Sequence, residues 1–229
     1  AGPTPACSRA RARGPPGAPV AAPGATGDQP SPSSSSAVRT ASTETTSSEG
    51  SSSGIGADFA RQLAARGMHL VLTARRGDLL KKLAEELYTA HGTKTEIITA
   101  DLSQPGEPQR LFDEIKQRGI EIELLVNNAG VGAVGTIEET DVQQMLQMIQ
   151  LNISALTELT YLVLPEMLER RAGGVINVAS TAAFQPVAYM GVYSASKSYV
   201  LHFSESLWAE THQRGVIVMA LCPGTTSTD

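Results

Sequence analysis

The stretch GSSSGIGADFARQLAARGMHLVLTARR, residues 50–76, decides the fold. Gly50, Gly54 and Gly56 make a turn that runs straight into a helical pattern, with Phe59, Ala60, Leu63 and Ala64 on one face. Gly67 stops that helix, and Met68 to Thr73 is an apolar run suited to a strand buried on both faces. A glycine turn, a helix and a buried strand in that order are parts of a βαβ unit.

The alternation continues toward the carboxyl terminus. Asp78 is placed to cap a helix carrying Leu79, Leu80, Leu83 and Leu87, and Thr95 to Thr99 is a strand. Leu111, Phe112 and Ile115 mark a third helix ending near Gly119, and Ile122 to Val126 is a fourth apolar run. A long helix is expected from Asp141 to about Leu164, interrupted by Pro165. Val175 to Ala179 follows as a strand, then a helix from Tyr193 to about Gln213 and a last strand from Val216 to Leu221. This order predicts an α/β domain with a doubly wound parallel sheet of the Rossmann kind, binding its ligand at the carboxyl ends of the strands.

Toward the amino terminus the pattern dissolves. Eight of the 13 Pro precede residue 33, and 11 Ser lie between 31 and 53, where Ala37, Val38 and Ala41 are the only apolar residues besides those of the turn. Such composition buries too little apolar surface to offset its ordering entropy. Residues 1–48 therefore read as a disordered segment and 49–229 as the domain. Arg9, Arg11 and Arg13 read as a solvated tail, with organelle targeting as the alternative and the cytoplasm as the default location.

The 229 residues suit one domain of ordinary size, and several function classes fall away. The net charge of -5 divides into +3 over residues 1–40 and -8 over the remainder, which disfavours nucleic acid. Two cysteines, Cys7 and Cys222, are too few for a disulfide framework, and the four histidines form no metal-ligand cluster. No run is long and apolar enough to span a bilayer as a helix.

The chemistry sits at strand ends. Asn127-Asn128-Ala129-Gly130 follows the fourth apolar run, Ser180 ends the strand Val175 to Ala179, and Tyr193-x-x-x-Lys197 opens the next helix. On a helix Lys197 lies one turn beyond Tyr193 on the same face, so its ammonium favours ionisation of a phenol whose ordinary pKa is about 10. That suits Tyr193 to acid/base work, and Ser180 offers a hydroxyl to hold the reacting oxygen. At the end of the second strand, Arg75 and Arg76 stand where an acidic residue would accept from a ribose 2′-hydroxyl. Cationic groups suit a 2′-phosphate, so NADP is expected ahead of NAD, unless both arginines are plain surface cations.

These motifs, in this order and at these spacings, resemble the short-chain dehydrogenase/reductase family from about Gly50 to Asp229. The resemblance implies an oxidoreductase moving a hydride between the nicotinamide of NADP and a small-molecule carbonyl or secondary alcohol. Tyr193 would be the proton donor, Ser180 its partner on the carbonyl, and Lys197 a contact to the nicotinamide ribose. Asn152 would position a proton-relay water, its alternative being a satisfied core asparagine. Cofactor contacts are implied at Gly50, Ser52, Ser53, Gly54, Ile55, Gly56, Asp101, Leu102, Asn128, Ala129, Gly130, Pro223, Gly224 and Thr228. A homodimer through the helices 141–164 and 193–213 is also implied.

The sequence departs from the family in two places. Where an apolar central strand should precede the glycine turn stands Thr43-Glu-Thr-Thr-Ser-Ser48 with Glu49, and burying Glu44 at the middle of a sheet would cost several kcal/mol. The sequence also ends shortly after Pro223-Gly224, before the helices and strand that cover the substrate in the family. A catalytically inactive fragment, retaining at most nucleotide or partner binding, is thus the alternative reading. Phe184, Pro186, Val187, Tyr189 and Met190 would shape the pocket and leave the substrate open.

Overall fold

The computed structural model describes residues 37–42, 45–46 and 54–224, the first two stretches as backbone. In chain order these form β1 (Ala37–Ser42), β2 (Thr45–Thr46), α1 (Ile55–Ala64), β3 (His69–Ala74), α2 (Gly77–His91), β4 (Thr95–Thr99) and α3 (Glu107–Gln117). Then come β5 (Glu121–Asn127), β6 (Gly130–Val131), α4 (Val142–Ile149), α5 (Leu156–Glu169), β7 (Gly173–Val178), α6 (Gly191–Thr211) and β8 (Val216–Leu221). The main sheet is parallel with the order β4-β3-β1-β5-β7-β8. The chain moves outward from β1 through β3 to β4, then returns to the other side of β1 with β5. That reversal opens a crevice at the carboxyl ends of β1 and β5.

Both faces of the sheet are covered. Ala57, Ala60, Leu63 and Ala64 of α1, with Leu80, Leu83 and Leu87 of α2, pack on Leu70, Leu72 and Val126. On the other face Leu111 and Ile115 of α3, Leu159 and Val163 of α5 and Leu207 of α6 pack on Val71, Ile98, Leu125, Val175 and Val218. Alternate residues of β3 thus enter opposite cores. Leu70, Val71 and Leu72 are all fully buried, which explains the unbroken apolar run. Each contributes roughly 1.5–3 kcal/mol.

The central strand corrects the sequence reading. It is Ala37–Ser42, paired to both β3 and β5, and not the stretch 43–49. It lies inside the Pro/Ser-rich segment 1–48, at the place where Ala37, Val38 and Ala41 interrupt the serines. Thr45–Thr46 instead pairs with Gly130–Val131 in a separate two-stranded sheet. The helices differ in smaller ways. Asp78 lies in the first turn of α2 behind the cap residue Arg76, and α6 spans Gly191–Thr211. Pro165 does not end its helix, since α5 continues to Glu169. The carbonyl it leaves without an amide partner belongs to Tyr161, on the exposed side of α5.

Four polar residues tie the helices to the sheet. Asn127 and Asn177 are register partners on β5 and β7. Asn127 Nδ2 donates to Asn177 Oδ1 (2.9 Å) and to Thr160 Oγ1 (3.1 Å), and Asn177 Nδ2 donates to Ser204 Oγ (2.9 Å). The two hydroxyls then donate to the carbonyls of Leu156 and Val200 in their own helices. All four side chains are buried.

Candidate active site

Parallel topology brings the sequence motifs to one edge of the sheet. Arg75 follows β3, Asp101 follows β4, Asn128 follows β5, Ser180 follows β7 and Pro223 follows β8. Backbone hydrogen bonds hold these strand ends in step: Ala100 N to Ala74 O, Ala179 N to Leu221 O and Thr181 N to Pro223 O.

Lys197 is the buried charge of the site. It is 6% exposed, and its ammonium donates to the Val178 carbonyl at the end of β7 (2.8 Å). Burial lowers its pKa from 10.5 to about 8, against a smaller opposing pull from Cys222. The same nitrogen lies 5.8 Å from the centroid of the Tyr193 ring, one helical turn away. Tyr193 is half-buried, and a Cβ added at Gly132 would sit 3.3 Å from its ring. At Gly130 an added Cβ would sit 3.2 Å from the Lys197 ammonium and 3.3 Å from Asn152 Oδ1. The small residues after β5 therefore let the backbone approach the Tyr/Lys pair closely.

Ser180 caps the short 3₁₀ helix Thr181–Phe184, its Oγ accepting from Ala182 N (3.1 Å). The hydroxyl keeps its own proton to donate. Asn152 lies within a π-helical segment, Gln150–Ala155, that joins α4 to α5. Its Oδ1 accepts from Val131 N (2.9 Å), while Nδ2 donates to Val131 O (2.9 Å) and Ser196 Oγ (3.1 Å). Both amide protons are thus engaged, the arrangement of a satisfied core asparagine, and it fixes the strand β6 that borders Tyr193.

The nucleotide side is more open. Gly54 caps α1 in an extended conformation, with Ile55 half-buried and Gly56 buried behind it. Gly50, Ser52, Ser53 and Thr228 lie outside the described residues. Arg75 and Arg76 are both exposed, Arg76 with Asp78 at 3.8 Å. Burial raises the Asp101 carboxyl, but hydrogen bonds from Ser103 and Gln104 and the charge of Arg75 outweigh it and hold the group below its usual range. Leu102 gives its side chain to the core, and Asn128 is also buried. Ala129, Pro223 and Gly224 stand at the same edge.

The sequence reading gives no role at the site to Thr160, Asn177 and Ser204. A lone asparagine in the apolar run Val175 to Ala179 was the available signal, since a polar group in a doubly buried strand needs a partner.

The comparisons with known proteins agree with this fold. A family model described as short chain dehydrogenase matches residues 49–229. Very-long-chain 3-oxoacyl-CoA reductase of Anas platyrhynchos is 37% identical over 180 residues, 76% of this chain and 57% of that protein, so the chain spans little more than half of that relative's length. The bulky-bulky ketone specific alcohol dehydrogenase from Comamonas testosteroni superposes with a TM-score of 0.76 at 30% identity, covering 84% of this chain and 74% of that one. A short-chain dehydrogenase from Sphingobium yanoikuyae in complex with NADPH gives 0.75 at 32% identity, covering 83% and 72%. With the glycine-capped helix, the Tyr193/Lys197 pair and Ser180 at one edge of a doubly wound sheet, the chain belongs to the short-chain dehydrogenase family.

Proposed function

We propose that the chain is an oxidoreductase that uses NADP to interconvert a ketone and a secondary alcohol. The observation that carries this reading is the buried Lys197 ammonium beside the half-exposed Tyr193. An ammonium has three donors, and the described residues give Lys197 one acceptor, the Val178 carbonyl. Two donors remain, which fits a ribose diol. A bound nicotinamide would supply the hydride. Tyr193 would give its phenolic proton to the reacting oxygen, Ser180 would donate its remaining hydrogen bond to that oxygen, and the positive charge of Lys197 would stabilise the phenolate left behind. Asn152 acts on this group through Val131, as a positioning residue.

The choice of NADP rests on Arg75 and Arg76, and a structural neighbour described in complex with NADPH supports it. Arg75→Asp replaces a phosphate partner with a repelling charge. Cofactor titration with a ketone substrate is expected to show the NADPH/NADH preference falling by about tenfold or more, since charged hydrogen bonds are worth roughly 1.5–3 kcal/mol. An unmoved ratio would make Arg75 a surface cation.

A homodimer through α4, α5 and α6 belongs to the same reading. Val142, Leu146 and Ile149 form an exposed apolar stripe on α4. On α5 and α6, Tyr161 and Tyr199 both stack on Phe203, and Tyr161, Tyr199 and Trp208 are exposed. Exposed apolar surface on three neighbouring helices supports an interface between copies. Sedimentation at micromolar concentration is expected to give twice the chain mass, and a monomer would remove the claim.

A further inference from the structure

Two loops flank Tyr193: residues 132–141 after β6 and residues 185–190 before α6. A single backbone hydrogen bond joins them, from Gly135 N to Tyr189 O (3.0 Å). Tyr189 is in the left-handed region at φ 65°, a conformation that a bulky side chain rarely adopts. Among the described residues the one other non-glycine there is Arg171, which terminates α5 in the manner usual for helix ends. Tyr189 ends no helix. It closes a turn, with Met190 N bonded to Val187 O, and presents its carbonyl to Gly135. Strain of this sort persists where the surroundings over-determine it, and it concentrates at ligand sites.

The side chains on these loops are unusual for a solvent-facing surface. Val134 and Ile137 on the first loop, Tyr189 on the second and Phe184 just before it are 72%, 88%, 66% and 67% exposed. Charged residues on the same stretch, Glu138, Glu139 and Asp141, fall at the far end of the first loop, and the second loop has none. Large apolar groups on both sides of a reactive tyrosine, on loops whose mutual hydrogen bond fixes them there, fit a ligand that presents apolar surface to them.

We infer that the Gly135–Tyr189 strap carries an apolar rim, with Tyr189 as its specificity-determining residue, and that this rim takes a ketone or secondary alcohol bearing an extended apolar chain. The inference rests on the hydride-transfer reading and deepens it by naming the substrate class. A small, highly hydroxylated carbonyl compound would leave the rim in water.

A series of straight-chain 2-ketones from butanone to dodecanone, with NADPH, tests it. In the unaltered chain kcat/KM is expected to rise about fourfold per methylene until the chain passes the rim, the increment that burial of one CH₂ group gives. Tyr189→Gly removes the ring and relieves the left-handed strain while leaving the backbone bond to Gly135 in place. It should lower the ratio of kcat/KM for decanone to that for butanone by tenfold or more with no loss of thermal midpoint, and Tyr189→Phe should restore the ratio. A flat series in the unaltered chain, or a steep one in Tyr189→Gly, overturns the rim. Saturation-transfer NMR of the same ketones runs beside turnover. If neither cofactor supports turnover of any ketone, the hydride-transfer reading fails. The rim then stands only if saturation transfer to the ketones rises with chain length and falls in Tyr189→Gly.

Discussion

Tyr193→Phe is expected to lower ketone reduction by about 10²–10⁴-fold, the range that a positioned general acid supplies. The change deletes one oxygen atom. The ring that rests against Gly132 and lies 5.8 Å from the Lys197 ammonium is retained. Among the described residues the Tyr193 hydroxyl has no hydrogen-bond partner, so its removal orphans nothing and the thermal midpoint should stay within a degree or two. A loss in kcat with KM nearly unchanged is the expected split, because the proton moves only in the transition state. Full activity in this variant would take the proton-donor role from Tyr193.

Lys197→Met should remove activity at no cost in stability. Burial holds this lysine at about 8, while the unfolded chain keeps the ordinary 10.5. Below pH 8 both states carry the proton and the folded chain bears the whole penalty, about 3 kcal/mol for a shift of this size. Between pH 8 and 10.5 the unfolded chain holds more protons than the folded one, so this group makes stability rise with pH across that window. Methionine keeps the stem's packing and removes the charge. It also leaves the Val178 carbonyl without its donor, a buried acceptor orphaned at roughly 1–3 kcal/mol. The burial penalty stands at the upper end of that range. At pH 7 the variant is expected to be no less stable than the unaltered chain and up to about 2 kcal/mol more stable in urea unfolding, to lack the wild-type rise between pH 8 and 10.5, and to lose turnover. A less stable variant with the same pH slope would mean that the ammonium is not held against its solvation.

The parts of this arrangement that could be read from sequence are those with a period or a motif. The strand Met68 to Thr73 and the helix with Leu80, Leu83 and Leu87 were legible because burial on two faces, or on one stripe, leaves a pattern of its own. Ser180, Tyr193 and Lys197 were legible because their spacing from the strand ends is fixed by topology. The central strand was misplaced because the turn at Gly50 drew the expectation to the residues just before it. The strand that the sheet uses lies farther back, and its sequence, AVRTAS, is too polar and short to announce itself. Asn152 was assigned from the resemblance, and its side chain turns out to be engaged with Val131 and Ser196. No one-dimensional pattern reports a partner 21 or 44 residues away.

The Asn127/Asn177 pair has a consequence for how this sheet avoids its alternatives. Apolar strands such as ELLV and GVIN can slide past one another at little loss of contact, because one branched aliphatic group replaces another. Two amides in register cannot. A slip of β7 by two residues would keep every side chain on its proper face, yet would part Asn127 from Asn177 and Asn177 from Ser204, stranding dry polar groups at roughly 1–3 kcal/mol each. The pair thus acts less as glue than as a key: it contributes little beyond what a well-packed leucine would, but it admits a single alignment. Since Ser180 stands three residues beyond Asn177, and Asn128 one residue beyond Asn127, the alignment it selects is also the one that sets the reacting groups at the same height.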